Sequence, residues 1–148
     1  KNPRHVLAVQ GPFRRLGHRI LSSNRTNPPI AAAGLRDLLL LFCGRRLLLR
    51  IEGRSMQPTL EPGDRVLVRR LGRKTAPCLG SVVVTWHPQR SKLRLIKRLN
   101  RLDSRGFWLL GDNPSESTDS RQLGAVPSNL LIGEVVGRLP RGESEQSR

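Results

Sequence analysis

The sequence predicts a mainly β fold: about six short strands in a folded-over antiparallel sheet or partly open β-barrel, with a short N-terminal helix. Three observations predict it. Apolar runs are short and rich in Val and Leu, 14 Gly and 11 Pro punctuate them, and no strand candidates alternate with helices as βαβ units would require. At 148 residues the chain holds one small domain with tails, enough for a single core.

In chain order, residues 1–34 carry six Lys or Arg and no acid, with Gly, Pro, Ser and Asn in no periodic pattern. That composition predicts a basic, disordered N-terminal extension, either a processed segment or sequence ahead of the true start. Residues 35–42 read as a helix closed by Gly44, with Arg45 and Arg46 at the end where the helix dipole favours cations. Its leucines are expected to pack on the core rather than on an anionic bilayer. Strands are expected at residues 47–52, 65–70, 81–86, 93–99, 107–110 and 131–136. Turn formers part them: Glu61-Pro62-Gly63-Asp64, Leu71-Gly72-Arg73, residues 77–80, His87-Pro88 and Ser104-Arg105-Gly106. Residues 35–140 form the domain by this reading, and 141–148 a polar tail.

The formal charge of +16 suits an anionic partner or membrane surface. Nucleic-acid readers often add aromatic stacking platforms, and three Phe, two Trp and no Tyr supply few. Nucleic acid is therefore not the expected partner; a weak peripheral membrane contact is compatible with the charge. The longest apolar run, residues 38–43, falls far short of the ~20 residues of a spanning helix, which predicts a cytoplasmic or peripheral protein without a transmembrane segment. Cys43 and Cys78 make neither a disulfide scaffold nor a zinc cage, so free, partly buried thiols in a reducing compartment are expected. The histidines and cysteines show no ligand spacing, and neither metal nor cofactor is expected.

Three stretches carry chemistry. In Gly53-Arg54-Ser55-Met56-Gln57-Pro58-Thr59-Leu60 a serine stands in a turn that Pro58 keeps from continuing as a strand, so its hydroxyl is free to attack. A hydroxyl needs a base, and histidine is the usual one. Yet His5 and His18 lie in the extension, His87 precedes Pro88, and none sits in a triad pattern. Lys97 is the better candidate: in residues 93–99 the period of two puts Leu93, Leu95, Lys97 and Leu99 on one strand face and Lys92, Arg94 and Arg98 on the other. Desolvation among leucines disfavours the ammonium, as a general-base lysine requires. The third stretch, residues 111–127, is a polar, glycine-punctuated loop. A serine in it could fix a neutral lysine without adding charge, and Asp119 and Arg121, on one side of an extended segment, could pair across it.

Gly-x-Ser-Met-x-Pro-Thr-Leu at 53–60, Ile96-Lys97-Arg98, and Gly-Asp-Asn…Ser-x-Asp-Ser-Arg…Gly-x-Val-Pro at 111–127 resemble the boxes of signal peptidase I, the Ser–Lys endopeptidases. The resemblance spans roughly residues 48–138. It implies that Ser55 is the nucleophile, Lys97 the general base, and Ser117 the serine that orients the lysine. Asp119 and Arg121 match the structural ion pair, and Gly111, Asp112 and Asn113 the loop opening. The oxyanion would be met by the backbone N–H of Ser55 and a donor near Gly53, where some members carry a serine hydroxyl. Two departures stand out. Asn100 to Asp103 replaces the Gly-x-Pro-Gly-Asp turn that commonly follows Lys-Arg, and the short interval between Lys97 and Gly111 leaves no room for a large extra β domain. A compact chain without an anchor looks most like the nickel-type superoxide dismutase maturation proteases. The implied partner is then a precursor with an N-terminal leader, such as the nickel superoxide dismutase proenzyme. A general signal peptidase acting on secretory precursors, a self-cleaving repressor domain, and a non-catalytic basic nucleic-acid-binding module are the other readings. The last explains the charge and none of the three boxes.

Overall fold

The computed structural model describes residues 27–72 and 75–139. The expected extension up to residue 26 and the expected tail, residues 141–148, lie outside them. The elements are α1 (Leu35–Phe42), β1 (Arg46–Arg50), β2 (Arg65–Arg70), β3 (Val82–His87), β4 (Arg90–Asp103), β5 (Gly106–Leu110), the one-turn α2 (Ser120–Leu123) and β6 (Leu131–Leu139). Single 3-10 turns cover Pro114–Glu116 and Ser128–Leu130. The fold is mainly β, as the composition predicts.

All six strands pair antiparallel in one open sheet of order β1-β2-β6-β3-β4-β5. β6 inserts between β2 and β3 and so joins the β1–β2 pair to the β3–β4–β5 meander. Val82 and Val84 of β3 fall in one core with Ile51, Met56, Leu60, Val66, Val68 and Val135; Val83, one residue apart, joins Leu99, Phe107, Leu109 and Val126 in another. Alternate residues of β3 thus fill opposite faces, which only a sheet covered on both sides can do. β4 is twice the expected length. Residues 100–103, expected to replace a turn, continue the strand past a bulge and pair with β5. Gly106, at φ 130, takes the chain around that hairpin.

Three expectations are corrected. Residues 27–34, expected within a disordered extension, run beside β6: Ala33 N donates to Arg138 O and Arg138 N to Ala31 O, both at 2.9 Å. A backbone ladder needs no side-chain periodicity, so the pattern could not reveal it. Helix α1, expected to pack on the core, buries none of its side chains fully and rests on the edge strand β1, with Arg46 reaching back to Asp37 at 3.3 Å. Cys43 and Cys78 are free but exposed, because one ends α1 and the other stands in the loop before β3. Among the described residues no helix is long and apolar enough to cross a membrane.

Candidate active site

Ser55 lies in the turn between β1 and β2, where Gln57 N donates to Arg54 O and Leu60 N to Met56 O. Buried Met56 and Leu60 anchor the turn in the core while Ser55 stays half-buried at the surface. From the middle of β4, Lys97 Nζ donates to Ser55 Oγ at 2.6 Å. Lys97 is 4% exposed, and among the described residues no carboxylate lies within ion-pair distance of it. Its face-mates grade from Leu93, 41% exposed, to Leu99 in the core, so the amine sits where the strand passes from rim to interior. Burial lowers the Lys97 pKa from its ordinary 10.5; the charge of Asp119 opposes this and that of Arg121 adds to it. A hydroxyl in contact with a desolvated amine can lose its proton to that amine as it attacks.

The third stretch closes on this pair through backbone as much as side chain. Asn113 N donates to Ser55 O at 2.9 Å. A Cβ at Gly111 would stand 2.6 Å from Ser117 Cβ and 2.7 Å from Ser55 O, so only glycine lets the loop approach the serine turn this closely. Asp119 gathers the loop. It accepts from Gly111 N (2.9 Å), Ser117 Oγ (2.7 Å) and Arg121 Nε and Nη2 (2.9 and 2.7 Å), and it caps α2 through Arg121 N. Burial disfavours its charge, but Arg121, the Gly111 N–H and the Ser117 hydroxyl outweigh that and hold its carboxyl far below the usual carboxylate range.

Two expected arrangements differ in form. Asp119 and Arg121 are paired, but as N-cap and second residue of the α2 turn rather than across an extended segment. Ser117, expected to hydrogen-bond the lysine, gives its proton to Asp119, and no bond joins it to Lys97 among the described residues. Gly53 is exposed, with nothing within 4 Å of where its Cβ would be.

Asp112 does more than open the loop. Its carboxylate takes Arg98 Nε at 2.8 Å and Nη2 at 2.6 Å, the Thr59 hydroxyl, and Asn27 Nδ2 at 2.9 Å. One side chain therefore joins the serine turn, the lysine strand and the loop. Sequence reasoning passed over Arg98, Thr59, Asn27 and Ser120, whose hydroxyl accepts from Leu109 N at 2.9 Å. The Lys-Arg dipeptide was the available signal for Arg98; nothing in the sequence marks Asn27.

A groove of about 570 Å³ runs from the dyad between β1 and the first half of β4, lined by Leu49, Ile51, Met56, Leu93, Leu95 and Lys97 among others. β1 is an edge of the sheet, and residues 94–97 of β4 pair with β3 on one side only, since the pairing of β4 with β5 begins at Arg98. Among the described residues no further strand is laid beside the outer side of β1 or beside residues 94–97, and residues of both line the groove.

Relatives carry the same region. Mitochondrial inner membrane protease subunit 1 of Schizosaccharomyces pombe is 34% identical over 108 residues, covering 59% of this chain and 69% of that protein. The Mus musculus protein of that name is 31% identical over 108 residues (59% and 65%). Mitochondrial ATP-independent inner membrane protease subunit 1a of Arabidopsis thaliana is 31% identical over 113 (60% and 67%). The chain spans about two thirds of the length of these relatives. Their names support a protease and a membrane setting; none names a nickel superoxide dismutase, and none supports a cytoplasmic placement. The Peptidase S24-like family matches residues 40–135, more than half of the chain and every one of the three boxes, and the chain belongs to that family.

Proposed function

We propose that the chain is a Ser–Lys endopeptidase that removes N-terminal leaders from precursor proteins at a membrane surface. The observation that carries this reading is the 2.6 Å contact between a buried amine, with no carboxylate partner among the described residues, and a half-buried hydroxyl in a turn. Lys97 takes the Ser55 proton as the oxygen attacks the scissile carbonyl. The oxyanion is met by the Ser55 backbone N–H and a second donor near Gly53. The C–N bond then breaks as Lys97 returns the proton to the leaving amine, and the acyl-enzyme is hydrolysed by a water that Lys97 deprotonates. Ser117 Oγ, its own proton committed to Asp119, keeps lone pairs that can accept from the ammonium formed during attack.

The substrate would lie extended in the groove, its backbone beside the outer side of β1 and residues 94–97 of β4, and its side chains seated between Leu49, Ile51, Leu93 and Leu95. The membrane setting follows from the relatives, which are named for an inner membrane. A nickel superoxide dismutase precursor and a secretory-type precursor are the two substrate classes to be told apart by assay. Purified protein is incubated with each precursor and the new N-termini are read. Ser55→Ala and Lys97→Ala should each abolish cleavage while the protein stays folded; cleavage at the wild-type rate by either would remove the mechanism.

A further inference from the structure

Helix α1 has an apolar face that nothing in the described structure covers. Leu35, Leu39 and Phe42 are 76%, 59% and 89% exposed, and at spacing i, i+4, i+7 they form one stripe. The opposite side meets β1, where Arg46 neutralises Asp37, the sole acid of the helix. Arg36 and Arg45 are exposed at the two ends of the stripe, and neither enters an ion pair among the described residues. The sequence ahead of α1 adds six Lys or Arg and no acid through residue 34.

We propose that the Leu35–Leu39–Phe42 stripe, flanked by Arg36 and Arg45, lies in the interface of an anionic phospholipid bilayer. An interfacial helix puts its apolar face at the acyl boundary and keeps cations beside the headgroups, and this helix presents both with no uncompensated acid. A protein partner fits less well. Three side chains on an eight-residue helix give a patch far below the ~800 Å² per side of a stable interface, whereas a bilayer accepts a small apolar patch when diffuse positive charge accompanies it. Since α1 rests on β1 and Leu48, Leu49 and Arg50 of β1 line the groove, lipid docking would hold the groove beside the surface from which a leader emerges. The lipid contact stands on α1 alone; its use in presenting leaders rests on the peptidase reading.

The test is co-sedimentation of the full chain with phosphatidylcholine vesicles, with and without phosphatidylglycerol, at low and physiological salt. Binding should need phosphatidylglycerol and weaken as salt rises. The basic sequence ahead of α1 will contribute to that attraction, so the decisive protein is Leu39→Ser/Phe42→Ser. Both positions are exposed, and the double variant should stay folded, cleave a soluble peptide as wild type does, and bind anionic vesicles at least about tenfold more weakly. Equal vesicle binding by the double variant overturns the proposal. So does a change in its sedimentation without vesicles, which would mean that the stripe meets protein. Ser55→Ala should bind vesicles as wild type does, so failure of the catalytic reading leaves this result intact.

Discussion

Lys97 and Arg98 are adjacent cations on β4, buried almost equally at 4% and 7% exposure, and they meet opposite company. Arg98 is held by Asp112 through two short hydrogen bonds and donates to Gly80 O at 2.7 Å. Lys97 has one hydroxyl and, among the described residues, no carboxylate partner. A buried cation with a paired acid keeps its charge and fastens structure, whereas one without can shed its proton and do chemistry. The two side chains leave the strand on opposite faces, which lets one residue pair serve both ends.

The strongest way to break this contrast is Lys97→Arg. The guanidinium stays protonated at any useful pH, so processing should fall at least about a thousandfold in the leader-cleavage assay, with the thermal midpoint little changed. Retained cleavage would mean that no neutral amine is needed.

On the other face the expected loss is of fold rather than of chemistry. Asp112→Ala leaves the Arg98 guanidinium buried without its anion and should cost about 3–5 kcal/mol, read as a lower urea midpoint at unchanged slope. Ser55→Ala should leave that midpoint where it is. An Asp112→Ala protein as stable as wild type would show that Arg98 finds water instead, and the contrast would lose its structural half.

Arg121 sharpens the comparison, because it decides how much of the Asp119 charge reaches the lysine. In the proposed mechanism the active form of Lys97 is the neutral one, so the rate should rise with pH through its folded-state pKa, which lies below the ordinary 10.5. Arg121→Gln removes the cation that lowers that pKa and leaves Asp119, which raises it. The acid limb of the pH–rate profile should therefore move to higher pH. The rate on that limb should fall by about three- to tenfold while the high-pH plateau is kept, and Arg121→Lys should restore most of it. A drop in the plateau with no movement of the limb would make Arg121 a scaffold residue only.

This division was half legible in the sequence. The period of two in residues 93–99 separates Lys97 from Arg98, and the small, polar composition of 111–127 marks a loop that comes close to something. What period two cannot convey is that both faces of β4 are covered, since Asp112 and Thr59 arrive from distant segments. Arg98 thus reads as a solvated neighbour of the lysine until the third dimension brings its carboxylate. Ser117 is a related case: its local neighbour Asp119, two residues on, takes its proton, and only the fold decides which acceptor wins. The strands were legible because Val and Leu runs broken by Gly and Pro leave few alternatives. The ladder of Ala31 and Ala33 on β6 was not, because main-chain pairing leaves no trace in side-chain pattern.

The smallest expected effect concerns the oxyanion, where the dyad contrast is silent because neither cation reaches it. Gly53 carries no side chain, its ideal Cβ has nothing within 4 Å, and its backbone is not in the left-handed region, so a serine fits there without displacing anything. Removing a preorganised oxyanion donor from a protease costs about 10²–10³ in kcat, but a hydroxyl on an exposed turn must first be ordered, and the gain from adding one is smaller. Gly53→Ser should therefore raise kcat about two- to tenfold with KM unchanged, since the ground-state carbonyl gains less than the oxyanion. The acid limb of the pH profile should stay where it is, because no charge has been added near Lys97. If KM falls instead while kcat holds, the hydroxyl is binding the extended substrate and not its transition state. The second oxyanion donor must then be a backbone N–H elsewhere in residues 53–56.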